Sequence, residues 1–115
     1  MRNVSENPHA WVILKIPIEG KEYYKIFGSW RGGYSDGDAY KLSSGISSIE
    51  DDDTNYYFNG LSGSCYKCPK NGYGIAGSYA SYVLKSYLEK SPEVSLLSIE
   101  ECISTIRDIK LSQIL

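Results

Sequence analysis

The residues of this sequence that could do chemistry fall into four groups. The first is Cys65-Tyr66-Lys67-Cys68, a C-x-x-C followed by Pro69. Two thiolates at that spacing supply half of a tetrahedral zinc site, which needs four ligands. The remaining soft or imidazole candidates are Cys102 and His9, and the chain holds no second C-x-x-C and no H-x-x-x-H pair. Cys102 falls on an apolar helical stripe, where a cysteine behaves as a small hydrophobe. A redox C-x-x-C lies between a strand and the start of a helix, whereas this one closes a run of strands. The second group is acidic: Asp36, Asp38, Glu50, Asp51, Asp52 and Asp53. Asp36-Gly37-Asp38 lacks the alternating ligands and closing Glu of a calcium loop. The run at Asp51, Asp52 and Asp53 reads either as a solvated turn or as a negative patch that meets a basic partner.

The third group would be enzymatic, and it is not filled. There is one His, and no G-x-S-x-G, H-E-x-x-H or phosphate loop is present. The glycines between Gly28 and Gly33 precede a strand and not a helix, so they lack the helix N-terminus of a phosphate cradle. No nucleophile and base can be paired, and the chain is expected not to be an enzyme and to need no cofactor. The fourth group is the segment from Gly28 to Tyr40. It gathers Trp30, Arg31, Tyr34, Tyr40, Asp36, Asp38 and four glycines. Glycine permits positive φ and close backbone approach, and Trp, Tyr and Arg carry most interface energy. The segment is therefore either a recognition loop or a long hairpin connection whose aromatics cover a sheet edge.

The elements that position these groups follow from hydrophobic periodicity. Residues 10–17 are β-branched and aromatic and read as a buried strand. Glu19-Gly20-Lys21 is a turn, and residues 22–30 pair back as a hairpin. Tyr24, Ile26 and Trp30 lie on one face of that second strand and Tyr23, Lys25 and Phe27 on the other, which implies a central strand or one covered by a helix. Residues 39–46 read as a third strand, residues 50–55 as a charged turn, residues 56–59 as a fourth strand and residues 64–68 as a fifth. From Ile75 the period changes. Ala76, Ala80, Val83, Leu84, Tyr87 and Leu88 form a helical stripe that Pro92 ends. Residues 94–97 make a short strand. Ser98-Ile99-Glu100-Glu101 is a capping box, followed by the stripe Ile99, Cys102, Ile103, Ile106 and Ile109. The expectation is one α+β domain over residues 1–115: an antiparallel meander of about five strands, then two C-terminal helices packed on the sheet. Residues 1–9 read as a polar lead-in.

Composition sets the remaining bounds. The chain has 115 residues, a net charge of −2 and 42% hydrophobic residues, so one modest core is expected. Eleven tyrosines against two Phe and two Trp suit either half-buried sheets or a wet binding surface. The charge excludes a basic nucleic-acid binder. Three cysteines, with no apolar stretch of signal length at the N-terminus, indicate free thiols in a reducing, cytoplasmic compartment. The longest apolar run, residues 11–14, is too short for a bilayer.

The pattern Trp30-x-Gly32-Gly33-Tyr34-x-x-Gly37-Asp38-x-Tyr40-Lys41-Leu42-Ser43-Ser44-Gly45-Ile46 is joined downstream by Tyr57-Phe58-x-x-x-Ser62-Gly63-Ser64-x-Tyr66. Together they resemble small uncharacterised proteins of tailed phages and prophages, over about residues 11–75. That family has no agreed catalytic residues, so no site residue follows from the resemblance. What it implies is context: small acidic phage proteins that bind and block a host factor, including anti-CRISPR inhibitors of bacterial defence complexes. The leading expectation is such an inhibitor, bound to a host protein whose surface is basic, through Trp30, Arg31, Tyr34, Asp36, Asp38, Tyr40 and the turn Glu50, Asp51, Asp52 and Asp53. The alternatives are a module that sequesters a nucleotide-like ligand and a zinc-stabilised structural domain. Contact with nucleic acid or membrane is not expected. A homodimer stays open, with Tyr82 at the edge of its stripe facing a partner or a second subunit.

Overall fold

The computed structural model describes residues 3–31 and 39–114. The fold is α+β, as the grouping of strands before helices requires. Among the described residues, seven strands form two antiparallel sheets where the sequence reads as a single meander. Strands β1 (Ala10–Ile18), β2 (Lys21–Trp30), β3 (Ala39–Leu42) and β7 (Ser95–Leu96) make one sheet in the order β3-β2-β1-β7. Strands β4 (Ile46–Asp51), β5 (Asn55–Gly60) and β6 (Cys65–Pro69) make the other, in the order β4-β5-β6. Helix α1 spans Ser78–Lys90 and helix α2 spans Ile99–Ile114. Neither is long and apolar enough to cross a membrane.

The β1–β2 hairpin turns on Glu19 and Gly20, both at positive φ (49° and 81°), which matches the twist of a two-residue hairpin. Strand β1 is apolar on both faces because both are covered. Trp11 and Ile13 point to the second sheet and α2, where Ile26, Ile49, Phe58, Cys68, Cys102 and Ile106 join them. Val12, Leu14 and Ile16 point to α1, with Phe27, Ala80 and Leu84. The layers are thus α1, the four-stranded sheet, and then the three-stranded sheet with α2. Each fully buried Ile or Leu here contributes about 1.5–3 kcal/mol. Trp11 is the hub between sheets: its ring lies 4.9 Å from Tyr73, 5.2 Å from Phe58 and 5.9 Å from Tyr56, and its indole N–H donates to Pro69 O at 2.7 Å.

Three expectations change. The third strand breaks in two, because buried Ser43 turns the chain out of the first sheet. Its N–H donates to Ile26 O at 2.9 Å and its Oγ accepts from Ile26 N–H at 2.8 Å, which closes the β2–β3 ladder before Ile46 begins β4. The charged turn is shorter than residues 50–55: Glu50 and Asp51 are the last residues of β4, paired with Tyr57 and Tyr56. Finally, residues 5–9 are not a passive lead-in. Glu6 bridges Tyr66 in parallel, Ser5 and Glu6 N–H donate to Cys65 O, and Lys67 N–H donates to Glu6 O. Pro8 is fully buried, and a Cβ on Gly28 would meet Pro8 Cβ at 3.0 Å, so a side chain there would crowd the segment. His9 N–H then reaches Ser29 O at 3.0 Å, so this stretch ties the two sheets together.

Candidate functional site

The end of the four-stranded sheet carries the described part of the aromatic segment. Tyr34, Asp36 and Asp38 lie outside the described residues. Trp30, Arg31 and Tyr40 are placed, and they divide between the two faces of the sheet. Trp30 lies on the side of the N-terminal segment, where its indole N–H donates to Asn7 O at 3.0 Å. Arg31 is exposed, and its backbone N–H donates to His9 Nδ1 at 3.0 Å. Lys41 pairs with Glu6 at 2.6 Å on this same side. Tyr40 faces the other way. It stacks on Phe27 at 5.4 Å with the rings 9° from parallel, and it meets Tyr79 of α1 at 6.0 Å.

Tyr40 therefore opens an aromatic surface that continues along α1. Tyr40, Tyr79 and Tyr82 are 41%, 53% and 68% exposed. Tyr79 and Tyr82 are one helical turn apart and so share a face. The start of α1 is fixed from below by Ser29. This fully buried hydroxyl accepts from Ala76 N–H at 2.8 Å and donates to Ala10 O at 3.4 Å.

Beside the tyrosines runs a strand edge with no neighbouring strand among the described residues. All four residues of β3 are exposed, and β3 is the outermost strand of its sheet. Hydrogen-bonded and non-hydrogen-bonded pairs alternate along an antiparallel ladder. Ser43 and Ile26 form a bonded pair, so Leu42 opposite Phe27 and Tyr40 opposite Ser29 are non-bonded pairs. Their backbone N–H and C=O groups point outward, to the open edge. Main-chain donors and acceptors thus lie in register with exposed rings, as strand addition requires.

The acidic residues sit in the other sheet. Asp51 is neutralised where it stands, by Lys70 at 2.8 Å and by Lys110 of α2. These partners, Lys110 foremost, hold its carboxyl below the usual range. Lys70 also lies 5.0 Å from the centre of the Tyr56 ring. Asp52 shapes the hairpin: its carboxylate accepts from Asn55 N–H at 2.8 Å, Thr54 N–H at 3.0 Å and the Tyr57 hydroxyl at 2.8 Å. These bonds, the Asn55 amide first, lower it to about 2. Glu50 and Asp53 are exposed. Of the described acidic residues, Asp51 is neutralised by ion pairs and Asp52 is committed to shaping the turn.

The C-x-x-C lies within strand β6, where residues three apart project to opposite faces. Cys65 and Cys68 so placed do not form a chelating pair. Among the described residues no three His, Cys, Asp or Glu cluster as metal ligands. All three thiols are buried, and burial raises Cys68 above its ordinary value and Cys102 to about 12. This geometry argues against the zinc-stabilised reading. The contribution of Glu6, Asn7 and His9 carries no local sequence signal, because each acts through a contact more than twenty residues away. Tyr79 and Tyr82 are legible as helix residues off the buried stripe. Comparison of the chain with protein-family models, with curated proteins and with solved structures gives no match.

Proposed function

We propose that this chain is a protein-recognition module whose binding edge is β3, flanked by Tyr40, Tyr79 and Tyr82. The observation that carries the reading is the coincidence of outward-facing main-chain groups at Tyr40 and Leu42 with the exposed tyrosine surface. A partner strand laid along β3 would gain main-chain hydrogen bonds, and its alternate side chains would meet the rings. Tyrosine contributes large contact area at small entropic cost. Arg31 and the segment from Gly32 to Asp38 adjoin this edge in sequence.

The wider reading is a phage or mobile-element protein that occupies and blocks a bacterial host factor, with a CRISPR effector or similar defence complex as the partner class. It is supported by the resemblance in the sequence and by a surface suited to protein contact. The aromatic edge takes the leading part. Asp51 and Asp52 hold the fold, so attraction to a basic partner falls to Glu50 and Asp53 and to the aspartates of the β2–β3 connection. The nucleotide-sequestering alternative rests on the Gly-rich segment, and Trp30, Arg31 and Tyr40 line neither groove flanking the helices: that of about 380 Å³ is formed by α1 with Ile75 and Leu96, and that of about 300 Å³ by α2 with Asp51 and Tyr56.

Two variants test the edge. Leu42→Pro removes an outward N–H without touching the β2–β3 bonds, and proline is tolerated on edge strands. Tyr79→Ser with Tyr82→Ser removes the rings. Capture from a bacterial host lysate, read by mass spectrometry, should yield a protein retained by the wild type and lost by both variants. A captured protein that both variants still hold would refute the assignment of the edge.

A further inference from the structure

Helix α2 is wider in apolar character than the surface it buries. Cys102 and Ile106 are buried and Ile109 is partly buried, but Ile99 and Ile103, expected in the same inward stripe, are exposed. At 100° per residue, Ile99, Ile103, Ile114 and Leu111 fall on one continuous arc beside the buried one. Ile103, Leu111 and Ile114 are 48%, 53% and 82% exposed. Ile103 and Ile114 also line a groove of about 300 Å³ with Tyr56 and Ile106.

Besides Lys110, which Asp51 holds, two charges are set into this arc, Glu100 in the first turn of the helix and Arg107 near its middle. They stand two turns apart on the same side of the helix. Neither has an ion-pair partner among the described residues. Along this face the order Glu100, Ile103, Arg107 is acidic, apolar and basic, and is complementary to itself when reversed, with Leu111 and Ile114 lying beyond it.

We infer that a second copy of this chain docks on the exposed face of α2, with the two helices antiparallel about a two-fold axis beside Ile103 and Ser104. This register brings Glu100 of each copy to Arg107 of the other and packs Ile103 against its own symmetry mate. A two-fold interface uses the same patch twice, so each ion pair occurs in duplicate. Antiparallel helices also oppose their dipoles favourably. The contact is one helix face, smaller than the roughly 800 Å² per partner of a standard interface. A contact of that size makes the dimer a weak, concentration-dependent one. It leaves the β3 edge and its tyrosines unused, so it stands independently of the binding proposed above.

Sedimentation equilibrium from micromolar to millimolar concentration tests it. The wild-type mass should rise with concentration toward twice that of the monomer. Glu100→Arg alone places Arg opposite Arg, and Arg107→Glu alone places Glu opposite Glu. Each should remain monomeric, with unchanged circular dichroism because both sites are exposed. An equimolar mixture of the two variants restores both ion pairs and should dimerise again. The inference is overturned by a wild type that stays monomeric, by single reversals that leave the dimer intact, or by a mixture that fails to recover. Tyr79→Ser serves as control and should leave the dimer unchanged.

Discussion

Replacing Ser29 by Ala should destabilise the protein by about 2 kcal/mol, out of proportion to the loss of one oxygen atom. Ser29 is fully buried, and its Oγ is the acceptor at 2.8 Å for the N–H of Ala76, which is itself only 4% exposed. Without Oγ that N–H has no acceptor and little access to water, and a buried unpaired donor costs about 1–3 kcal/mol. The second bond, to Ala10 O at 3.4 Å, is long and adds little. With an unfolding entropy of about 2.1 cal/mol/K per residue, a chain of 115 residues loses about 4 °C of Tm per kcal/mol, hence about 8 °C in all. Thermal and urea unfolding measure the loss, and hydrogen exchange at the Ala76 amide locates it. Ser81→Ala is the control: its exposed hydroxyl donates to Gly77 O at 3.1 Å, and its removal should cost under about 0.5 kcal/mol. The reasoning fails if Ser29→Ala costs no more than the control, or if Ala76 exchange is unchanged. Because Ala76 leads directly into α1, the same substitution should loosen Tyr79 against Tyr40 and weaken capture of a partner through the β3 edge.

Gln113 closes the outer edge of β4 by accepting from Ile49 N–H at 2.6 Å and donating to Ile49 O at 3.1 Å. Gln113→Glu keeps the acceptor but turns the donor into a charge facing a carbonyl, so exchange at Ile49 and release of the end of α2 should both increase; unchanged exchange would refute the pairing. Asp52 is held at about 2 against an ordinary 3.8, so its stabilisation is full above pH 3.8 and is lost as pH falls toward 2. The stability gap between wild type and Asp52→Asn, followed by urea unfolding, should accordingly narrow across that window, and a constant gap would count against the carboxylate cap. Burial lifts Cys102 from 9.0 to about 12, so the unfolded chain ionises this thiol first and stability should fall as pH rises above 9. Cys102→Ala should flatten that alkaline slope, and an unaltered slope would assign it to other groups.

Much of the local structure is legible in the sequence. The two-faced apolar patterns of β1 and β2 announced strands covered on both sides, and the layers of α1 and of the second sheet cover them. The capping box is present as read, with Glu101 N–H donating to Ser98 Oγ at 3.2 Å and Ser98 N–H donating to Glu101 Oε1 at 2.9 Å. These features repeat within a few residues, so periodicity and composition report them. Tertiary structure decided what rests on partners distant in the chain. The single meander became two sheets because a serine hydroxyl at position 43 intercepts the backbone of Ile26. The lead-in became a tie between sheets because Glu6 and Pro8 find β6 and Gly28 far along the chain. Within the acidic run, read either as a solvated turn or as a patch for a partner, Asp51 is committed inside the molecule, since Lys70 and Lys110 reach it only after the second sheet and α2 are docked. Eleven tyrosines left core and surface undivided in the sequence. Packing separated them, burying Tyr57 and Tyr66 while leaving Tyr40, Tyr79 and Tyr82 in solvent, because burial depends on which element covers a face and not on the residue that occupies it.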